Sequence, residues 1–356
     1  MASKKLFKNI LNTLLPVLLA FAIGGIIILA IGENPITTYS IMIQKSFLSV
    51  NGLLKTLHMA SPLILTGLAI AVSFKANVFN MGVEGQMLLG AFFAAVAGFS
   101  FDLPPVVHVT ICLLTGMIVG AIFALIPALL KAYFKVNEMV VTLMMNYVAI
   151  EIVKFLAQGV YKDPTSGYVS TYTINPSAMF NKLGNTGITA FFLISLALFV
   201  IIFIIMKKSK LGYEITAMGK NPEFAEATGM KISKKIIIIM LISGALSGIA
   251  GAGFLMSEKF RFTLDFSGNP GLGWDGMLIA LLGAHNPVGI IIAAIFYAGL
   301  KTGSEYIGLF TNVPKEIVGV IQGILILLLS IKFIKDSINR NKAKKSEIKV
   351  NQKEGA

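Results

Sequence analysis

Polar residues recurring at helical spacing within apolar sequence are the first candidates for chemistry. Glu138, Thr142 and Asn146 stand four apart in the run Val136-Asn-Glu-Met-Val-Val-Thr-Leu-Met-Met-Asn-Tyr147. That spacing places them in one stripe spread over about 80° of a helix. Such a stripe suits a passage that hydrogen-bonds a polar solute, with Tyr147 beside it as an aromatic face. The plainer alternative is that Asn137 and Glu138 cap the helix start while Thr142 and Asn146 join helices. Glu151 and Lys154 fall on a different face, three apart, and read as a pair satisfied by each other.

Three other stretches concentrate polar groups between apolar runs. Asn77-Val-Phe-Asn-Met-Gly-Val-Glu-Gly-Gln86 brackets Glu84 between Gly82 and Gly85. The glycines predict a turn or a broken helix, and the helix that follows offers free N–H groups and a positive dipole end. Asn77, Phe79, Asn80, Glu84 and Gln86 are its candidates for holding a solute or forming a gate; a satisfied cytoplasmic turn is the alternative. Gly271-Leu-Gly-Trp-Asp-Gly276 supplies Trp274 and Asp275, an aromatic face and a carboxylate suited to a solute bearing a ring and hydroxyls. They are expected at the outer mouth, where an N-cap and an interfacial anchor are the alternatives. The stretch 219–231 predicts a short helix with Asn221 as N-cap, Pro222 first, and Gly229 as its stop. Glu223, Ala225, Glu226 and Ala227 lie between. A helix so short cannot stand alone in water and must dock on something.

Other chemistries leave no trace. The only Gly-Lys pair, Gly219-Lys220, is followed by Asn221, so no phosphate-cradling loop is expected. His58, His108 and His285 are scattered, with no carboxylate or cysteine at ligand spacing, so neither a metal nor a catalytic residue is assigned. Basic residues sit in short runs beside apolar segments rather than among surface aromatics, which excludes nucleic acid as a partner.

The elements that must position these groups follow from composition. Of 356 residues, 56% are hydrophobic and 13% charged, and mean hydropathy is +0.81. A soluble domain carries about 25% charged residues, so the chain is read as an all-α polytopic membrane protein surrounded by lipid. Membrane-crossing helices of about 20 residues are predicted over 12–31, 57–73, 86–101, 106–130, 139–158, 188–206, 236–256 and 317–334. The stretch 275–303 is apolar too, but Gly-Ala-His-Asn-Pro-Val-Gly at 283–289 breaks it at Pro287. The expectation is about 8 full spans plus a broken, re-entrant helical pair at 275–303, or 8 to 10 spans in all. The first span is an uncleaved helix, because its apolar core is too long for a signal peptide.

Lysine bias orients the bundle. The net charge is +13. The tail from 332 carries eight basic residues against three acidic ones, and 207–235 seven against three. Both are therefore expected on the cytoplasmic side, as is the N-terminus. This divides the chain into a cytoplasmic N-terminus (1–11), a transmembrane domain (12–334, including the loop 207–235) and a basic tail (335–356) expected to be disordered. Gly116/Gly120, Gly244/Gly248 and Gly319/Gly323 have the spacing that lets membrane helices approach closely.

Taken together in this order, the four stretches resemble the permease subunits of bacterial ATP-binding-cassette importers, in the branched-chain amino-acid and ribose permease superfamily. The phrases at 77–91, 136–149 and 273–289 are similar to those of its nucleoside branch, and 219–231 to the coupling loop of the wider superfamily. The likeness covers about 50–330. Trp274 stands where the family phrase has Phe, and His285 where Asn is commoner. The resemblance implies ATP-driven import by alternating access from a bacterial plasma membrane. The chain would have no ATPase activity of its own; ATP and Mg would bind a partner ATPase subunit. It also implies a second homologous permease subunit, an extracytoplasmic binding protein or lipoprotein, and a coupling helix at Asn221–Lys231. A sugar or branched-chain amino-acid permease is the neighbouring alternative. A carrier or channel working alone is the alternative of another class.

Overall fold

A computed structural model describes residues 2–328 except 185, 186, 267, 269, 270, 315 and 326. The expected tail 335–356 lies outside the described residues. The described residues form two compact units, one within 43–302 and one of 2–42 with 303–328.

The larger unit opens with one π-helical turn, Gln44–Leu48, and then packs long helices side by side. They are α3 (Val50–Lys75), α4 (Val83–Ser100), α5 (Pro105–Phe134), α6 (Glu138–Gln158), α7 (Ala190–Lys208) and α10 (Ile232–Phe254). A π-turn, Leu255–Lys259, prolongs α10. Two short helices, α8 (Lys210–Lys220) and α9 (Pro222–Ala227), connect α7 to α10, and α11 (Leu272–Leu282) leads into α12 (Pro287–Phe310). In the smaller unit, α1 (Ala2–Ala30) is followed by α2 (Pro35–Ile43), which the sequence reading missed, and α13 covers Glu316–Leu325. Tyr39 on α2 donates its hydroxyl to the Phe21 carbonyl at 2.8 Å, and Asn312 donates to Glu33 at 2.9 Å.

Seven described helices are long and apolar enough to cross a membrane. Two shorter apolar helices, Leu15–Ala30 and Glu316–Leu325, lie where the first and last spans were predicted. The broken stretch differs from expectation in one respect. Only α11, with 11 residues, is a half-helix; α12 has 24 and is full length. The break itself is local. Ala284 and His285 adopt left-handed φ values of 51° and 55°. Asn286 then accepts the Val288 amide at 3.2 Å, and Pro287 opens α12.

Close packing centres on glycine. A Cβ on Gly248 of α10 would collide with the Gly116 carbonyl of α5, and Gly120 and Gly244 block each other in the same way. Gly90 brings α4 against the same point. The Gly319/Gly323 pair behaves otherwise: a Cβ at either position meets nothing within 4 Å.

One end of the larger unit is capped by the segment between α6 and α7. Backbone bonds tie Thr171 to Phe262, Ile174 to Phe260, Asn175 to Gly98 and Phe180 to Met256, at 2.8–3.0 Å. His108 reaches Ser177 and the Ala97 carbonyl from below. The Thr165 hydroxyl and amide hold the Asp163 carboxyl below the usual carboxylate range, and Arg261 stands 3.7 Å away. The opposite end holds the lysines of 207–235 together with Lys75, Lys131 and Lys135. Lys131 pairs with Glu138 at 2.7 Å and Lys235 with Glu214 at 2.5 Å.

Candidate functional site

The chain between α3 and α4 is unwound for a structural reason. Asn77 ends α3 in the left-handed region at φ 58°, a conformation Asn tolerates. The Val78 amide then bonds back to the Ser73 carbonyl at 3.1 Å, a six-to-one closing turn. Residues 78–82 follow as irregular backbone beside α6, whose amides have no helical partner.

The stripe on α6 supplies those partners one turn at a time. Glu138 accepts the Phe79 amide at 3.3 Å, the Thr142 hydroxyl accepts the Met81 amide at 3.1 Å, and Asn146 accepts the Gly85 amide at 2.8 Å. Asn146 also donates to the Met81 carbonyl at 2.8 Å. Non-helical backbone survives at membrane depth only when protein or water satisfies it. Here all three stripe residues are buried and do that work.

Asn80 and Gln86 form a second layer. Their amides exchange hydrogen bonds at 3.0 and 3.1 Å, Asn80 accepts the Gly82 amide, and it donates to Ser243 at 2.8 Å. Ser243 in turn donates its hydroxyl to the Ala69 carbonyl at 2.7 Å. The network joins α3, α4 and α10 and engages the side-chain amide oxygen and nitrogen of both Asn80 and Gln86, which favours one arrangement of the helices.

The third layer joins two helix starts. Glu84, in the first turn of α4, accepts the Gly273 amide at 2.7 Å. Cβ atoms at Gly271 or Gly273 would strike Glu84, so both glycines are needed for the approach. The carboxylate thus faces the positive end of α11. From α11, the fully buried Asp275 accepts from Tyr297 and pairs with Lys301 at 2.5 Å, fastening α11 to α12.

Of the residues singled out in the sequence, Asn80, Glu84, Gln86, Glu138, Thr142, Asn146 and Asp275 are therefore buried around one junction of broken helices. Asn77 and Tyr147 are exposed and Phe79 half-buried. Trp274 is 38% exposed but does not sit at a mouth. Gly276, two residues on, packs against Thr66, nine residues inside the end of α3 at Lys75. The sequence placed Trp274 and Asp275 at the outer mouth, whereas Gly271 and Gly273 bring this segment into close contact with Glu84. Ser243, Tyr297 and Lys301 belong to the same networks and were missed. A polar Ser in an apolar helix was the only signal for the first, and a charge in the middle of an apolar run for the last.

At the lysine-bearing end, Asn221 caps α9 by accepting the Phe224 amide at 3.0 Å, Pro222 is its first residue, and Gly229 ends the segment at φ 85°. Within α9 only Ala225 is buried. Glu223, Glu226 and Ala227 are exposed, and Phe224 leaves 64% of its surface uncovered. The preceding helix seats against the bundle, since Gly219 abuts the Lys75 carbonyl.

Residues 52–330 match the family described as branched-chain amino acid transport system / permease component. The guanosine ABC transporter permease protein of Bacillus subtilis is 33% identical over 95% of this chain and 99% of its own length. The nucleoside ABC transporter permease protein of Lactococcus lactis is 32% identical over 92% of each. The glucose ABC transporter permease protein of Haloferax volcanii is 32% identical over 88% of this chain and 85% of its own.

Proposed function

Because the chain belongs to the branched-chain amino acid transport permease family, we propose that it carries nucleosides inward across a bacterial plasma membrane as the permease subunit of an ATP-driven importer. The substrate assignment rests on one observation: similarity over nearly its whole length to the guanosine permease of Bacillus subtilis. A flat ring bearing hydroxyls also suits a chain whose polar interior is built mainly from amides, hydroxyls and carboxylates.

The lysine-bearing end faces the cytoplasm, and the N-terminus and the basic tail are assigned to the cytoplasmic side by their charge. There α9 inserts into a partner ATPase subunit, with Phe224 as its apolar contact and ATP and Mg bound on that partner. A six-residue helix seated by one alanine has little else to hold it. A second homologous permease subunit completes the pathway, and an extracytoplasmic binding protein delivers solute at the capped end. Movement of α9 on ATP binding and hydrolysis tilts the helices joined at Glu84, so access alternates between the two sides. Asn77, Phe79, Trp274 and Tyr147 are the residues of the original set with surface to offer the solute. The buried members hold the junction.

The test is uptake of labelled guanosine by cells expressing the complete transporter, with unlabelled competitors. Competition by nucleosides but not by glucose, ribose or leucine is expected. The glucose permease relative favours a sugar as the second reading, and selective competition by glucose would replace the first with it.

A further inference from the structure

The outward face of α6 carries a charged pair that a lipid-facing helix would not keep. The buried residues of α6 are Glu138, Thr142, Asn146, Ala149, Val153 and Ala157. At about 100° per residue, Glu151 points almost directly away from that face, with Tyr147, Lys154 and Phe155 flanking it. Glu151 is 71% exposed and Lys154 44% exposed, their charged atoms 3.7 Å apart. Tyr147 and Phe155 are 66% and 73% exposed.

The depth of this pair follows from its neighbours. α4 and α6 run in the same direction, since Met81 meets Thr142 and Gly85 meets Asn146. Gly85 packs against Ala149, and Gly90 packs against Gly116 and Gly248, near the middles of α5 and α10. Gly90 lies about 7.5 Å beyond Gly85 and Glu151 about 3 Å beyond Ala149, at 1.5 Å per residue. Glu151 is thus within about one helical turn of mid-bundle and about 10 Å from the end of α6 at Gln158. A glutamate is too short to reach a headgroup over that distance, and a charge facing hydrocarbon at this depth is costly.

We propose that Tyr147, Glu151, Lys154 and Phe155 form a water-exposed wall of the solute pathway and contact the solute as it passes. This deepens the transport reading and rests on it. Opposite charges so close together favour a neutral polar solute over an ion. Glu151 accepts hydrogen bonds from hydroxyl or ring N–H groups, and Lys154 donates to ring nitrogen or carbonyl acceptors. The two aromatic rings cover the faces of a planar base.

The test is cysteine labelling in membrane vesicles holding the assembled transporter, with a membrane-impermeant sulfonated maleimide. The native Cys112 is fully buried and gives a low background. Glu151→Cys is expected to label roughly tenfold faster than Ile122→Cys on the exposed flank of α5, because the thiolate that reacts forms only in water. Excess guanosine is expected to slow that labelling. Equal rates for the two variants would put Glu151 against lipid and overturn the proposal. So would an unlabelled Glu151→Cys that oxidises to a cross-link between subunits, or labelling indifferent to guanosine. Uptake is measured in parallel in vesicles holding the unsubstituted transporter. ATP-driven uptake with an unlabelled Glu151→Cys overturns the wall alone. Protected labelling without ATP-driven uptake supports the wall and contradicts the importer.

Discussion

The carboxylate of Glu84 accepts the amide of Gly273 at 2.7 Å, so the first turn of α4 is fastened to the first turn of α11 across 189 positions of sequence. Two helices that both begin inside the bundle share one buried acceptor. Glu84→Ala leaves a buried amide without its partner and removes a negative group from a helix N-terminus. The expected loss is about 2 kcal/mol, read as a lower unfolding temperature of the detergent-solubilised transporter. Glu84→Gln keeps an acceptor and should lose less than half as much.

Asn146 distinguishes a structural stripe from a lining one. Its side chain bonds to both the Gly85 amide and the Met81 carbonyl. Asn146→Ala should lower thermal stability by about 2 kcal/mol and reduce the amount of assembled transporter. The protein that does assemble should keep its KM for uptake. A raised KM at unchanged stability would make Asn146 a solute contact instead.

Asp275 and Lys301 offer a double-mutant cycle. Asp275→Leu alone removes the buried carboxylate that pairs with Lys301 and should cost about 3 kcal/mol. Adding Lys301→Met removes the other charge of the pair and should recover most of that loss. If the double variant is as unstable as the sum of the single ones, the pair does not hold α11 to α12.

Glycine spacing should matter at one contact and not at another. Gly248→Ala forces α10 away from the Gly116 carbonyl and should destabilise by about 1–3 kcal/mol. Gly319→Ala, with open space around it, should be neutral within about 0.5 kcal/mol. Unfolding temperatures of the two variants, measured side by side, check both.

Features governed by local sequence were legible beforehand. Pro287 predicted the break between α11 and α12, and Asn221, Pro222 and Gly229 predicted the start and stop of α9. The four-residue spacing of Glu138, Thr142 and Asn146 placed them on one face. What that face meets was not legible, because its partners at Phe79, Met81 and Gly85 are backbone amides about sixty residues away, and an amide carries no sequence signature. The same limit explains the misplaced depth of Trp274. Nothing in the local sequence ties Gly271 and Gly273 to Glu84, whose close approach they allow. Glu151 and Lys154 were correctly read as a pair on a separate face, while their depth required the neighbouring helices.

The most direct test of the central claim is guanosine uptake into proteoliposomes containing this chain with its partner permease and ATPase subunits. Uptake is expected to require ATP, to resist a protonophore, and to fall to background with Phe224→Asp, which places a charge on the exposed apolar contact of α9. The isolated Phe224→Asp chain should be as stable as the unmodified one, because Phe224 covers little of its own bundle. Uptake by this chain alone, abolished by a protonophore and indifferent to Phe224→Asp, would contradict the account and make the protein a carrier driven by an ion gradient.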